Sequence, residues 1–162
     1  MIKKERLFSK EECSELIEWI ENLNNFKQAK LGKYHYSELD ESFPGYDKIR
    51  NWCNLNLRFK SNGWLQCFKY FHGQSFPPHK DRNSEFEFSK DSLINVNVVL
   101  NDDYDGGEFY TNGVYYKNEP GMIYWYPSNQ LHGVTEIKNG IRYVLLYTIR
   151  EREVENNSKS SI

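Results

Sequence analysis

A mainly antiparallel β domain supported by N-terminal helices is the fold class this sequence predicts, and three observations predict it. Helical periodicity is confined to residues 9–57. Beyond Asn62-Gly63 the apolar segments are short, β-branched or aromatic, and bounded by turn residues. Tyr, Phe and Trp number 12, 10 and 4, an aromatic content that favours strands.

The first element is a helix. Ser9 followed by Glu12 has the form of a capping box, and Cys13, Leu16, Ile17 and Ile20 then recur at helical spacing, so one face should bury against a sheet. A second helix is expected from Tyr46 to Leu57, after Pro44-Gly45, with Ile49, Trp52, Cys53 and Asn56 as its stripe. Trp64 to Phe71, Leu93 to Leu100, Met122 to Tyr126 and Arg142 to Ile149 read as strands. Asn112-Gly113 lies between Glu108-Phe109-Tyr110-Thr111 and Val114-Tyr115-Tyr116-Lys117, and Asn139-Gly140 precedes the last strand; both dipeptides favour turns that close two-residue hairpins. From Glu151 onward the chain is charged and rich in Ser and Asn, without apolar periodicity. We therefore expect one domain over residues 1–150, with helical support over 9–57, a β-core over 64–150 and a disordered tail over 151–162.

In the strand from Leu93 to Leu100, alternation places Ile94, Val96, Val98 and Leu100 on one face and Asn95, Asn97 and Val99 on the other. Two asparagines on one face either meet solvent on a one-sided sheet or point inward toward a polar ligand held in a barrel.

Composition excludes several classes of function. A formal net charge of -2, with Lys and Arg scattered along the chain, gives no general attraction to nucleic acid or anionic lipid. No apolar run approaches the roughly 18 residues that cross a bilayer, and Met1 to Arg6 are charged, so we expect an intracellular protein without a membrane segment. Cys13, Cys53 and Cys67 are odd in number and lack C-x-x-C spacing, which reads as small buried hydrophobes in a reducing compartment. Oligomeric state is not written in the sequence.

Histidine is scarce, so each of the four can be weighed separately. His35 has no informative neighbours, and His72 lies in the Tyr70-Phe71-His72-Gly73 turn as a loop residue. His79-Lys80-Asp81 places an imidazole and a carboxylate two residues apart, which in an extended segment leaves both on one side, with Lys80 on the other. His132 stands on a separate element. Together they form the 2-His-1-carboxylate set that occupies one face of non-haem Fe(II) and leaves positions open. Arg142, ten residues later, would project into the same interior if Val144, Leu146 and Thr148 share its face; a guanidinium buried there needs an anion, and a dicarboxylate such as 2-oxoglutarate supplies one.

At this point the chain resembles a known family, the 2-oxoglutarate- and Fe(II)-dependent oxygenases, in their prolyl 4-hydroxylase-like branch. The resemblance spans about Trp64 to Arg150. It is carried by Tyr70-Phe71-His72-Gly73-Gln74-Ser75-Phe76-Pro77-Pro78-His79-Lys80-Asp81, by Leu100-Asn101-Asp102-Asp103-Tyr104-Asp105-Gly106-Gly107-Glu108, by Pro120-Gly121 leading to Leu131-His132-Gly133-Val134, and by Gly140-Ile141-Arg142. It implies a double-stranded β-helix, or jelly-roll, core with helices packed on one sheet. It implies Fe(II) held by His79, Asp81 and His132, with Arg142 pairing the side-chain carboxylate of 2-oxoglutarate, dioxygen as second co-substrate and ascorbate as an accessory reductant. Tyr70 matches a tyrosine lining the co-substrate pocket, Asn95 a small polar position beside it, and Asn97 shares the Asn95 face.

The implied reaction couples decarboxylation of 2-oxoglutarate to hydroxylation of a substrate C–H bond, with a prolyl residue in a protein or peptide as the substrate the branch points to. Hydroxylation of a free amino acid or other small molecule is the alternative, and a non-catalytic metal-dependent peptide-binding or oxygen-sensing module a third reading. The loop between Asp81 and Leu93, with Phe86 and Phe88, is read as a mobile segment over the substrate. Trp125, Tyr124 and Tyr126 either wall the pocket or serve as core aromatics. Two departures stand out. Val99 occupies a position where several relatives have a tyrosine that helps hold the distal carboxylate, and Thr148 stands where nucleic-acid demethylating relatives repeat an arginine, which argues against base repair.

Overall fold

The structure, a computed structural model, describes residues 4–30, 33–117 and 119–154. Helix α1 (Lys10–Leu23) starts at the capping box, with both halves formed: Glu12 N donates to Ser9 Oγ at 3.1 Å and Ser9 N donates to Glu12 Oε1 at 3.0 Å. Asn24 in the left-handed region ends it. Helix α2 (Tyr46–Asn56) buries Tyr46, Ile49, Trp52 and Cys53. Asn56, counted in that stripe from the sequence, is exposed and donates to Trp52 O instead.

Strands β1 (Lys4–Arg6), β2 (Lys27–Gln28), β3 (His35–Leu39), β4 (Trp64–Tyr70), β6 (Ser92–Val99), β10 (Met122–Pro127) and β13 (Arg142–Arg150) form one sheet in the order β1-β10-β6-β13-β4-β3-β2. Facing it, β5 (Phe76–His79), β11 (His132–Val134), β8 (Phe109–Thr111) and β9 (Val114–Tyr116) form a second sheet in the order β5-β11-β8-β9. A short pair, β7 (Asp105–Gly106) with β12 (Ile137–Asn139), closes one end. All pairings among the described residues are antiparallel, and the architecture is the double-stranded β-helix.

Alternation along the large sheet separates two apolar clusters. Leu65, Cys67, Val96, Val98, Leu145, Tyr147 and Ile149 pack against α1 and α2. The opposite face carries Phe68, Tyr70, Val99, Tyr124, Tyr126 and Val144, packed with Phe109 and Val134 of the second sheet. The three cysteines are free and buried, Cys13 and Cys53 on the helices and Cys67 beneath them.

Two turn expectations separate. Asn112 and Gly113 both have positive φ (51° and 75°) and join β8 to β9, with Thr111 opposite Val114, as a two-residue hairpin requires. Asn139-Gly140 does not close a hairpin. Strand β12 pairs with β7 while β13 pairs with β4 and β6, so Gly140 (φ 80°) turns a corner between sheets; long-range partners, not the turn dipeptide, decide the pairing.

The chain is also ordered further than its composition predicts. Glu151–Glu153 form a 3-10 turn, and Val154 is buried and bridges to Ser61. Ion pairs hold this segment, so a disordered tail cannot start at Glu151; residues 155–162 lie outside the described residues. The loop after Asp81 is tied to the same segment rather than hanging free: Arg150 donates to Phe88 O, and Arg152 to Glu87 O and the Asp91 carboxylate. Among the described residues, no helix is long and apolar enough to cross a membrane.

Candidate active site

His79 and His132 lie directly opposite each other in the β5–β11 pairing, and Asp81 follows β5 by two residues. Their ligand atoms lie within 4.8 Å of one another, with His79 Nε2 3.2 Å from Asp81 Oδ1 and His132 Nε2 3.5 Å from Asp81 Oδ2. Lys80 is exposed, as the alternation requires.

Local backbone fixes the imidazoles. His79 Nδ1 lies 2.8 Å from Pro77 O, and His132 Nδ1 2.8 Å from Gln130 O. A carbonyl can only accept, so each Nδ1 carries the hydrogen and each Nε2 keeps its lone pair for the shared centre. This is how metal-ligating histidines are oriented. Phe76 stacks on His79 at 3.8 Å between centroids, and Tyr126 packs on His132 at 4.6 Å.

Asp81 is held from two sides. Its backbone N donates to Ser128 O, and its carboxylate accepts from Asn95 Nδ2, whose Oδ1 accepts from Ser128 Oγ at 3.3 Å. Burial pushes the Asp81 carboxyl pKa up, but the His132 and His79 imidazoles beside it outweigh that and hold the group well below the usual carboxylate range. A half-buried charge facing two imidazole lone pairs is the donor set of a cation site, and its two nitrogens and one oxygen suit Fe(II).

Deeper in the same interior, Arg142 opens β13 opposite Tyr70 and is 2% exposed. Its guanidinium carbon lies 5.3 Å from the Tyr70 ring centroid, yet its buried Nε and Nη1 have no hydrogen-bond partner. Leaving such donors unmet costs roughly 1–3 kcal/mol each or more, which an anion entering from the site would recover. Gly107 makes room for the side chain: a Cβ there would stand 3.1 Å from Arg142 Cδ and from the Tyr104 ring, and 2.4 Å from Ile137 Cδ1. Tyr104, Tyr70 and Tyr124 surround the guanidinium; burial opposes its charge, and these phenols offset that, so its pKa lies above the ordinary value.

Asn95 and Asn97 face this interior, at 1% and 6% exposure, which resolves the two readings of their strand in favour of the inward one. Tyr124 and Tyr126 share it, whereas Trp125 alternates away and packs against the helix-facing cluster, so it is no part of the pocket wall. His35 meets Gln74 Oε1 and the Phe71 ring, and His72 is an exposed turn residue; neither joins the cluster. Sequence reasoning passed over Tyr104, Gly107 and Ser128. The Gly106-Gly107 pair was the available signal for the first two, since adjacent glycines at positive φ mark a close approach.

Two imidazoles and a carboxylate that could hold one metal ion, with a buried guanidinium on the interior face of the same double-stranded β-helix, are the chemistry expected of a facial-triad metal oxygenase with an anionic co-substrate. Residues 65–150 match the 2OG-Fe(II) oxygenase superfamily, and the chain belongs to that family. Fe(II) and 2-oxoglutarate are accordingly its metal and co-substrate. A search of curated proteins finds no match in sequence. Among solved structures, a viral collagen prolyl hydroxylase from Paramecium bursaria Chlorella virus-1, in complex with 2OG, is similar with a TM-score of 0.73 at 19% identity, covering 92% of this chain and 94% of that one. A Pseudomonas putida prolyl-4-hydroxylase gives 0.72 at 12% identity over 93% and 92% of the two chains. An oxidoreductase of the 2OG-Fe(II) oxygenase family from Burkholderia pseudomallei gives 0.64 at 15% identity over 88% and 81%. At these identities the likeness is one of fold.

Proposed function

We propose that this oxygenase hydroxylates a prolyl residue in a protein or peptide, with His79, Asp81 and His132 as the iron ligands and Arg142 as the partner of the distal carboxylate of 2-oxoglutarate. The observation that carries the ligand assignment is the convergence of both Nε2 atoms on Asp81 while both Nδ1 atoms are tied to backbone carbonyls. When bound, iron and 2-oxoglutarate supply the oxidative chemistry, in which decarboxylation of the co-substrate drives hydroxylation of a C–H bond.

The chain's own residues supply geometry and charge. His79 and His132 offer their Nε2 nitrogens on one side of the centre. Asp81 offers a carboxylate held ionised and aimed by Asn95 and the Ser128 backbone. Arg142 fixes the far end of the co-substrate through donors that meet no protein acceptor. Phe76, Phe109 and Tyr126 exclude water around the imidazoles.

The prolyl reading is supported by the shared fold with the two prolyl hydroxylases. It is supported also by an exposed aromatic rim: Phe86 and Phe88 stand out from the loop that follows Asp81, and Phe88 stacks on Trp64. Rings of this kind suit the apolar face of a prolyl-containing segment.

The test is succinate formation from 2-oxoglutarate by protein loaded with Fe(II) without air and then exposed to it. Proline-containing peptides are compared with free amino acids, and His132→Ala serves as the control. A rise with the peptides alone is expected. A rise with free amino acids alone replaces the prolyl reading with the small-molecule one, and no iron-dependent succinate from any addition points to a binding module.

A further inference from the structure

We infer that the Tyr124–Asn97 pair is a second clamp on the distal carboxylate of the co-substrate, doing from strand β10 what the small side chain of Val99 cannot do from β6. The inference rests on the assignment of Arg142 to that carboxylate.

Among the described residues, three buried polar atoms on this interior face meet no partner: Arg142 Nε, Arg142 Nη1 and Asn97 Oδ1. Asn97 lies opposite Tyr124 in the β6–β10 pairing and opposite Leu146 in β6–β13, on the face shared with Arg142 and Val144. Its Nδ2 donates to the Tyr124 hydroxyl at 2.9 Å. Tyr124 is fully buried, belongs to the cluster that holds Val99 and Tyr70, and is one of the three phenols acting on Arg142. Val99, also fully buried and in the same cluster as Tyr124, carries no polar group with which to reach a carboxylate from β6.

The pair presents a donor in either orientation of the amide, and the two orientations differ only by exchange of Oδ1 and Nδ2. With Nδ2 on the phenol oxygen, the phenol is a donor in turn. With the amide turned, the phenol donates to Oδ1 and Nδ2 points where the unmet Oδ1 now points. A carboxylate, which only accepts, is thereby matched, and an uncharged end group gains nothing from it. The residues set which 2-oxoacid is taken, not how the metal is held.

The experiment is calorimetric titration of the Mn(II)-loaded full chain, without turnover, using 2-oxoglutarate and 2-oxobutyrate. The second has the same chelating end and lacks the distal carboxylate. For Tyr124→Phe we expect the Kd for 2-oxoglutarate to rise about tenfold, equivalent to about 1.4 kcal/mol, with the Kd for 2-oxobutyrate unchanged. Adding Val99→Tyr to that variant should recover part of the loss. Equal weakening toward both acids would mean a merely structural role and overturn the inference, as would unchanged affinity for 2-oxoglutarate. Wild-type protein that binds 2-oxobutyrate but gains nothing from the distal carboxylate would overturn the Arg142 assignment itself, and the inference with it.

Discussion

The Asn95 side-chain amide donates to Asp81 Oδ2, so a residue in the middle of the large sheet orients a carboxylate presented from beyond the end of the small one. Neither sheet alone holds the candidate metal centre. Removing this link should loosen the carboxylate without removing a ligand. Asn95→Ala is expected to lower Fe(II) or Mn(II) affinity by about 10–100-fold, read by competition with a chelating dye, while Asp81→Ala abolishes tight binding. Equal affinity in Asn95→Ala and wild type would show that Ser128 positions Asp81 unaided.

Metal should act on stability, because the ligands lie outside the helix-facing core that contributes most of the packing. The metal-free protein is expected to stay folded. Metal at about 100 times its Kd should add about 2.7 kcal/mol, which for a chain of this size raises the melting temperature by roughly 5–10 °C. The rise should reverse with chelator and be missing in His79→Ala. A metal-free chain that does not fold would contradict the separation of core and site.

Gly107 has φ of 62° and stands against Arg142 Cδ and the Tyr104 ring. Gly107→Ala should cost roughly 1–3 kcal/mol from the backbone alone, and it should displace the guanidinium. A lowered melting temperature together with a raised Kd for 2-oxoglutarate is the expected result. Loss of stability with unchanged co-substrate affinity would show that Arg142 tolerates the shift.

Asp91 is tied to the Arg152 side chain and backbone, joining the loop after Asp81 to the last turn. Those hydrogen bonds depress the Asp91 pKa to about 2 against slight opposition from burial. A depressed carboxylate contributes stability that is fully present above its unfolded pKa, about 3.9, and is lost as pH falls through the folded value. Asp91→Asn should therefore melt below wild type at neutral pH, and the gap should close as pH falls from about 4 toward 2. Because Arg152 is well exposed, the gap should also shrink in strong salt. A gap independent of pH would assign the effect to packing.

How much of this was legible in the sequence varies with how local the cause is. The capping box at Ser9 and Glu12, the alternation through Asn95 and Asn97, and the hairpin at Asn112-Gly113 are set by neighbours in the chain, and each reads directly. Strand β5 escaped because Pro77 and Pro78 cannot donate to a ladder; at a sheet edge that matters little, and it is where they lie. Strand β11 is three residues long, and Asn139-Gly140 carries a hairpin signal that distant pairings override. At the candidate site, His79, Asp81, His132 and Arg142 could be named because their chemistry and spacing are unusual. Ser128 could not, since it acts through backbone and side-chain contacts that exist only once the chain has folded.

Along Arg142–Arg150, side chains on one face meet the site and those on the other meet the helices. Strand β13 therefore behaves like a text with two interleaved messages, each legible only in its own frame. Substitutions at 145, 147 and 149 should be felt as loss of folding, and those at 142, 144, 146 and 148 as altered chemistry. A single inserted residue would exchange the two messages along the rest of the strand, placing aromatic bulk in the catalytic interior and polar groups beneath the helices. Length in this segment is thus under tighter constraint than the identity of any one of its apolar residues.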